Sequence, residues 1–223
     1  MNIAVIPAYN EEKTIEEVVT RCKKINIFPI VIDDGSTDDT YKIANGLTKT
    51  LRTYCYKHEI KGKGEALKVG FKYIDVLYFM PDDVKFIVVI DGDLQYDPFE
   101  IPKLIEALKT ADYVIGQRDW SQVPFRHRLG NYLWVKTFNL LFGTNLKDTN
   151  CGFIAMRAEV MRRLNVSSGY IVDNDMLMQA LEMGFVVKNT PISVKYNDKR
   201  NLFSGTRMVM GIFIFIIRRW LNI

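Results

Sequence analysis

Lys85-Phe86-Ile87-Val88-Val89-Ile90 runs without a break into Asp91-Gly92-Asp93-Leu94-Gln95. The first six residues form an apolar, β-branched run closed by a turn signal, which reads as a buried strand. Working outward, the pattern repeats. Asn2–Ile6 leads into Ala8-Tyr9-Asn10-Glu11, and Phe28–Ile32 leads into Asp33-Asp34-Gly35-Ser36. Helical spacing lies between these runs. Glu11–Lys24 places Ile15, Val18, Val19 and Cys22 on one face, a second helix capped by Thr37 or Asp38 reaches about Lys49, and a third covers Gly64–Met80. Arg52–Lys57 and Asp112–Gly116 read as strands, and Pro98–Lys109 as a helix opened by proline. The βαβα order predicts an α/β fold with a mostly parallel central sheet and helices on both faces. Further on, the spacing predicts a helix near Asn131–Phe142, a strand at Gly152–Met156, a helix near Asp173–Met183 and a strand pair around Phe185–Tyr196. No linker or repeat divides residues 1–203, so they read as one domain.

Composition narrows the class. Of 223 residues, 48% are hydrophobic and 25% charged, which excludes a disordered, collagen-like or disulfide-scaffold chain. Three cysteines without CxxC spacing and two histidines argue against a zinc site. The net charge of +4 is too small to favour nucleic acid. It is unevenly spread, however: Trp120–Lys147 carries Arg126, Arg128, Lys136 and Lys147 with no acid, and Lys199–Ile223 carries five basic residues and no acid. Such patches are either solvated faces or contacts to an anion or a membrane surface. No signal peptide is visible. Met208–Ile217 (MVMGIFIFII) is about 15 Å long as a helix, too short to span a bilayer that takes about 20 residues. With Arg207 before it and Arg218-Arg219-Trp220 after it, residues 204–223 read as an apolar helix at a membrane interface, or else as a buried helix of the core.

The turns after the strands carry the chemistry. Alternate residues leaving a strand point the same way, so Asp91 and Asp93 converge, with Gly92 allowing the bend. With Gln95 they form a hard oxygen set suited to Mg²⁺ or Mn²⁺, with positions left for diphosphate oxygens. Alternatively they form a plain turn. Asp33 and Asp34 suit hydrogen bonds to a base or ribose, or helix capping. Gly62-Lys63-Gly64 opens a helix and offers either an anion site or a flexible turn.

Taken in order, Pro7-Ala8-Tyr9-Asn10-Glu11, Val31-Ile32-Asp33-Asp34-Gly35-Ser36-Thr37-Asp38, Gly62-Lys63-Gly64-Glu65-Ala66-Leu67, Asp91-Gly92-Asp93-Leu94-Gln95 and Asp148-Thr149-Asn150-Cys151-Gly152-Phe153 resemble the family 2 glycosyltransferases. Within that family the chain resembles the dolichol-phosphate (polyprenyl-phosphate) mannosyl- and glucosyltransferase branch over roughly residues 2–196. The resemblance implies a GT-A (Rossmann-like) fold and inverting transfer of a hexose from a nucleotide sugar, GDP-mannose or UDP-glucose, to polyprenyl phosphate. It implies that Pro7, Ala8, Tyr9, Glu11, Asp33 and Asp34 hold the nucleoside, that Lys63 lies near the phosphates, and that Asp91, Asp93 and Gln95 carry Mg²⁺ or Mn²⁺. Arg118 would meet the acceptor phosphate together with Arg128, for which Arg126 is an alternative. Asp173 and Asp175 resemble the family's acidic pair, although the family has glutamate second; Asp175 is counted with Asp91 and Asp93 as catalytic. The implied place is the cytoplasmic face of a membrane, peripherally bound, with a small membrane-protein partner. A hydroxyl acceptor, which would need Asp175 or Asp148 as base, is one alternative. A non-catalytic nucleotide-sugar-binding subunit is the other.

Overall fold

A strand buried on both faces needs apolar side chains on both, and the Lys85–Ile90 run supplies them. In the computed structural model, which describes residues 1–51, 53–57, 62–75, 84–121, 125–167 and 171–195, Ile87, Val88, Val89 and Ile90 have no exposed surface. The elements in chain order are β1 (Asn2–Ala8), α1 (Ile15–Lys24), β2 (Phe28–Asp33), α2 (Thr40–Leu51), β3 (Tyr54–Lys57), α3 (Lys63–Tyr73) and β4 (Phe86–Val89). A 3-10 turn (Pro98–Glu100), α4 (Ile101–Ala107), β5 (Tyr113–Arg118), α5 (Phe125–Phe142), β6 (Ile154–Arg157), α6 (Ala158–Arg163), α7 (Val172–Glu182) and β7 (Val187–Ile192) complete them.

The sheet runs β3-β2-β1-β4-β6-β5-β7. The pairs β3–β2, β2–β1 and β1–β4 are parallel, as is β5–β7, while β6 runs antiparallel to both β4 and β5. The mostly parallel α/β sheet expected from the sequence is present. From β1 the chain winds outward through β2 and β3, then returns to the other side of β1 as β4. The carboxyl ends of β1 and β4 therefore flank a topological switch point, where open α/β sheets bind ligands. The antiparallel β6 adds a second feature. Its register pairs Phe86 with Arg157 and Val89 with Ile154. Two further steps set Gly152, just before β6, opposite Asp91, just after β4.

Several boundaries differ from the sequence reading, each for a local reason. Pro102 has no N–H to return to Pro98, so the turn closes as 3-10 and the α-helix starts at Ile101. Of the two capping candidates for α2, Asp38 is the one that serves, as expected of one of them, its Oδ1 accepting from the Thr40 N–H at 3.0 Å. The helix expected from Asn131 already begins at Phe125, anchored by buried Trp134, Val135 and Phe138, with Trp134 Nε1 donating to Thr149 Oγ1 at 2.8 Å. The strand pair expected around Phe185–Tyr196 is one strand, β7, parallel to β5 along its length. No residue within it has the positive φ that would help reverse the chain; beyond it, Val194 makes an isolated bridge to Tyr96. The two-turn α6 carries no signal that periodicity picks out. The expected division at residue 203 and the apolar helix over 204–223 lie outside the described residues.

Helix α3 reaches the sheet closely because Gly70 has no side chain. A Cβ there would lie 2.6 Å from Val5 Cγ1 and 3.4 Å from Ile32 Cγ1. Gly46 on α2 faces open space, with nothing within 4 Å of the point a Cβ would occupy. Gly70→Ala is expected to lower unfolding stability by about 1–2 kcal/mol through overpacking, net of its helix-propensity gain. Gly46→Ala is expected to raise it by about 0.5–1 kcal/mol. Urea titration checks both, and a Gly70→Ala protein as stable as the parent would refute the close approach.

Candidate active site

Three loops leave the carboxyl edge of the sheet together. Asn10, at φ 56°, turns the first back onto the second. Its N–H donates to Ser36 Oγ (2.9 Å), its Oδ1 accepts from the Thr37 N–H (2.9 Å), and the Glu11 N–H donates to Thr40 Oγ1 (2.7 Å). The backbone of Asp34 donates to Ala8 O at 2.8 Å. Pro7 and Ala8 thus form the floor between β2 and β4, and Tyr9 is exposed at its rim. Asp33 is fully buried: Oδ2 accepts from the Ser36 N–H (3.2 Å), while Oδ1 has no hydrogen-bond partner among the described residues. Both oxygens of Asp34 accept from the Gly62 N–H, at 2.9 and 2.8 Å. Since Gly62 is the N-cap of α3, Asp34 fixes the start of the helix that carries Lys63.

Lys63 joins the two halves of the site. Its Nζ lies 3.0 Å from Asp91 Oδ1 and 2.9 Å from Asp173 Oδ2, the latter in the first turn of α7. Burial alone would lower the proton affinity of this ammonium, but Asp173 and Asp91 outweigh burial and hold its pKa above the ordinary lysine value. Burial raises the Asp173 carboxyl, and Lys63 partly offsets that rise. All three groups close on Gly152. A Cβ there would stand 2.6 Å from Lys63 Nζ, 3.1 Å from Asp91 Oδ2 and 3.4 Å from Asp173 Oδ2.

Asp93 Oδ1 accepts from the Gln95 N–H at 2.9 Å, and Leu94 between them sits at φ 55°. The carbonyl of Gln95 accepts from the Lys195 N–H (2.9 Å). Glu11 belongs to the same acidic patch. Burial first, then Asp93 and Asp91, push its carboxyl up to about 7 against the hydrogen bond donated by Thr14. Among the described residues, no group of three or more His, Cys, Asp or Glu side chains is placed to hold a metal by itself. The donor chemistry fits a hard cation that takes one or two carboxylates and completes its shell with substrate phosphates, as Mg²⁺ does.

A second charged pair lies beside the first. Arg118, ending β5, forks onto Asp148 with Nε–Oδ2 at 2.8 Å and Nη2–Oδ1 at 3.0 Å, and its own N–H donates to the same carboxylate at 3.2 Å. Asp148 is fully buried. Arg118 Cζ stands 4.6 Å from the Trp120 ring centroid. Gln117, Arg118, Trp120, Arg128, Pro191 and Ile192 line a cleft of about 480 Å³. Arg128 is exposed at its mouth; the side chain of Arg126 lies outside the described residues.

The structure therefore brings together Asp91, Asp93, Glu11 and Lys63, and separately Arg118 and Arg128. Asp175 sits apart: it is 2% exposed and accepts from Gln179 Nε2 at 2.8 Å. Asp173 takes the place facing Asp91, Gly152 joins the site from the Asp148–Phe153 motif, which carried no role for it, and Trp120 joins although sequence alone does not single it out. Positions i and i+2 on a helix diverge by about 200°, so helical phase was the available signal that only one of Asp173 and Asp175 faces the site.

Residues 3–165, most of the chain, match the family described as Glycosyl transferase family 2. The UDP-N-acetylglucosamine–dolichyl-phosphate N-acetylglucosaminyltransferase of Methanococcus voltae is 30% identical, over 95% of this chain and 92% of its own. The polyprenol monophosphomannose synthase of Mycolicibacterium smegmatis is 29% identical, over 86% of this chain and 76% of its own. Among solved structures, glucosyl-3-phosphoglycerate synthase from Mycobacterium tuberculosis, in complex with Mn²⁺, uridine diphosphate and phosphoglyceric acid, superposes with a TM-score of 0.77. That alignment covers 99% of this chain and 78% of the other at 20% identity, so it shows a shared GT-A-like fold. With this sheet order, these loops and this match, the chain belongs to glycosyl transferase family 2 and is a glycosyltransferase.

Proposed function

We propose that the protein transfers a hexosyl group, with inversion, from a nucleotide diphosphate sugar to polyprenyl phosphate, in a reaction that depends on Mg²⁺ or Mn²⁺. The observation that carries this reading is the charged cluster at the switch point, with Asp91 beside Lys63 and Asp173 around the bare Cα of Gly152. Pro7, Ala8, Tyr9, Glu11 and Asp33 form the nucleoside side, where the unmatched Asp33 Oδ1 supplies an acceptor. Asp34 holds the start of α3 and so sets Lys63 toward the phosphates. Asp91, Asp93 and Gln95 would hold the cation, which when bound neutralises the departing diphosphate. GDP-mannose and UDP-glucose are the donors to test first.

Occupied carboxylates favour a phosphate acceptor over a hydroxyl. A hydroxyl needs a base, and the two candidates are committed: Asp148 to Arg118, and Asp175, buried on α7, to Gln179. A lipid phosphate is already an anion and needs only positioning, which Arg118 and Arg128 supply beside the Trp120 face. The basic, apolar stretch over residues 199–223 supports a peripheral place on the cytoplasmic face of a membrane, with a small membrane protein as a further partner there. Among the described residues no helix is long and apolar enough to cross a membrane.

With radiolabelled donor and polyprenyl phosphate, the product is expected to be an acid-labile lipid-linked sugar whose formation stops in chelator. Asp93→Ala should cut the rate at least ~100-fold. Full turnover in chelator would remove the metal assignment, and a product stable to mild acid would select a hydroxyl acceptor. Arg128→Ala is expected to raise KM for the lipid about tenfold and leave donor KM unchanged; equal changes in both would remove its acceptor role.

Glu11 also makes a pH prediction. Its folded pKa of about 7 exceeds the ordinary 4.5, so between those values the folded state holds more proton than the unfolded. This group's contribution to the stability of the metal-free protein is therefore full below about 4.5 and is lost as pH rises through about 7. Melting temperature should fall across that window, and Glu11→Gln should flatten the fall. Identical profiles for the two proteins would show that the acidic patch does not crowd Glu11.

A further inference from the structure

A cation site needs its carboxylates available, yet Asp91 is already paired. Lys63 Nζ is 3.0 Å from Asp91 Oδ1 and 2.9 Å from Asp173 Oδ2, so one ammonium bridges two acids from different elements. Divalent cation and ammonium therefore compete for the same carboxylate. A nucleotide diphosphate brings several negative charges to the side of the site where Lys63 sits, and gives the ammonium another partner. Asp173 lets it move without losing every partner, since one bond is kept while the other is exchanged. Gly152 leaves the space in which the ammonium sits, because a Cβ there would lie 2.6 Å from Nζ.

We propose that Lys63 is a resident counter-ion that blocks Asp91 until the donor diphosphate draws it away, with Asp173 as a positioning residue that retains it, so that nucleotide and divalent metal bind cooperatively through one lysine. The coupling is reciprocal: the factor by which nucleotide tightens metal is the factor by which metal tightens nucleotide. Metal alone would bind weakly, and the complete diphosphate site would assemble only when both ligands are present. This rests on the assignment of Asp91 to the cation.

The test measures Mn²⁺ binding to the whole protein by the loss of the free-ion electron paramagnetic resonance signal, alone and with saturating UDP or GDP, whichever tightens the parent's binding. Nucleotide should tighten Mn²⁺ binding to the parent about tenfold or more. Lys63→Gln should bind Mn²⁺ alone about tenfold more tightly than the parent, and the enhancement by nucleotide should shrink by the same factor. Lys68→Gln, one turn further along α3 and paired with Glu65, removes the same charge without touching Asp91 and should leave both near parental. Equal Mn²⁺ affinity in Lys63→Gln and parent, or an equal gain in Lys68→Gln, overturns the coupling while leaving the metal site standing. Failure of the parent to bind Mn²⁺ even with nucleotide overturns the metal assignment and the coupling with it.

Discussion

Carboxylates gathered at one edge of a sheet repel one another, and the fold must answer that repulsion before it can bind anything. Glu11, Asp91, Asp93 and Asp173 come from three segments that meet beyond the carboxyl ends of β1 and β4. The lysine at the start of α3 is the internal answer. It touches two of the acids, and the protonation of Glu11 near neutrality relieves the others in part. Everything that fixes Lys63 in place serves this balance: the Asp34 clasp on Gly62, the close seating of α3 on Val5 through Gly70, and the missing side chain at Gly152.

The neighbouring Arg118–Asp148 pair meets a different need. It is a two-point fork, reinforced by a backbone N–H and sealed on one side by Trp120, so breaking it would leave a fully buried carboxylate unpaired. Such a pair orients; it does not exchange. Arg118 therefore presents a fixed edge to the cleft, while Arg128, exposed on α5, lines the same cleft from the helix. Lys63 differs from both, being shared between two acids by single contacts, the arrangement that an incoming polyanion can disturb most easily.

What the sequence made legible follows from what it repeats. Apolar runs ending in acidic turns occur three times in the first half, and each strand and each turn proved to be where periodicity placed it. Asp91 and Asp93 were legible as the acids of a turn that closes a buried strand, and both act on Glu11. Asp173 and Asp175 have the same spacing on a helix, where it separates them, so the residue that meets Lys63 is not the one the family resemblance marks as catalytic. Gly152 stands out in the sequence only as part of a motif, because its importance lies in a long-range approach that local pattern does not encode. The 3-10 start before α4 was readable in principle from the two prolines four residues apart. The single strand β7 was not: its partner β5 lies some seventy residues earlier, and nothing local distinguishes a parallel edge strand from half of a hairpin.

The reversal at β6 explains why one short segment serves both halves of the site. A parallel strand beside β4 would begin at the far edge of the sheet, and its approach loop would never meet Asp91. Because β6 is antiparallel to β4, the residues that lead into it run alongside the residues that leave β4, and the register carries Gly152 to Asp91. β6 is antiparallel to β5 as well, so the same lead-in passes the end of β5, where Gly116 N–H donates to Phe153 O and Asp148 reaches Arg118. Asp148 and Gly152 are four residues apart in one loop, one holding the arginine of the cleft, the other making room for the lysine of the acidic cluster. Substrate groups bound in the two places would be held on a common piece of backbone, so their separation is set by chain geometry and not by the packing of independent elements.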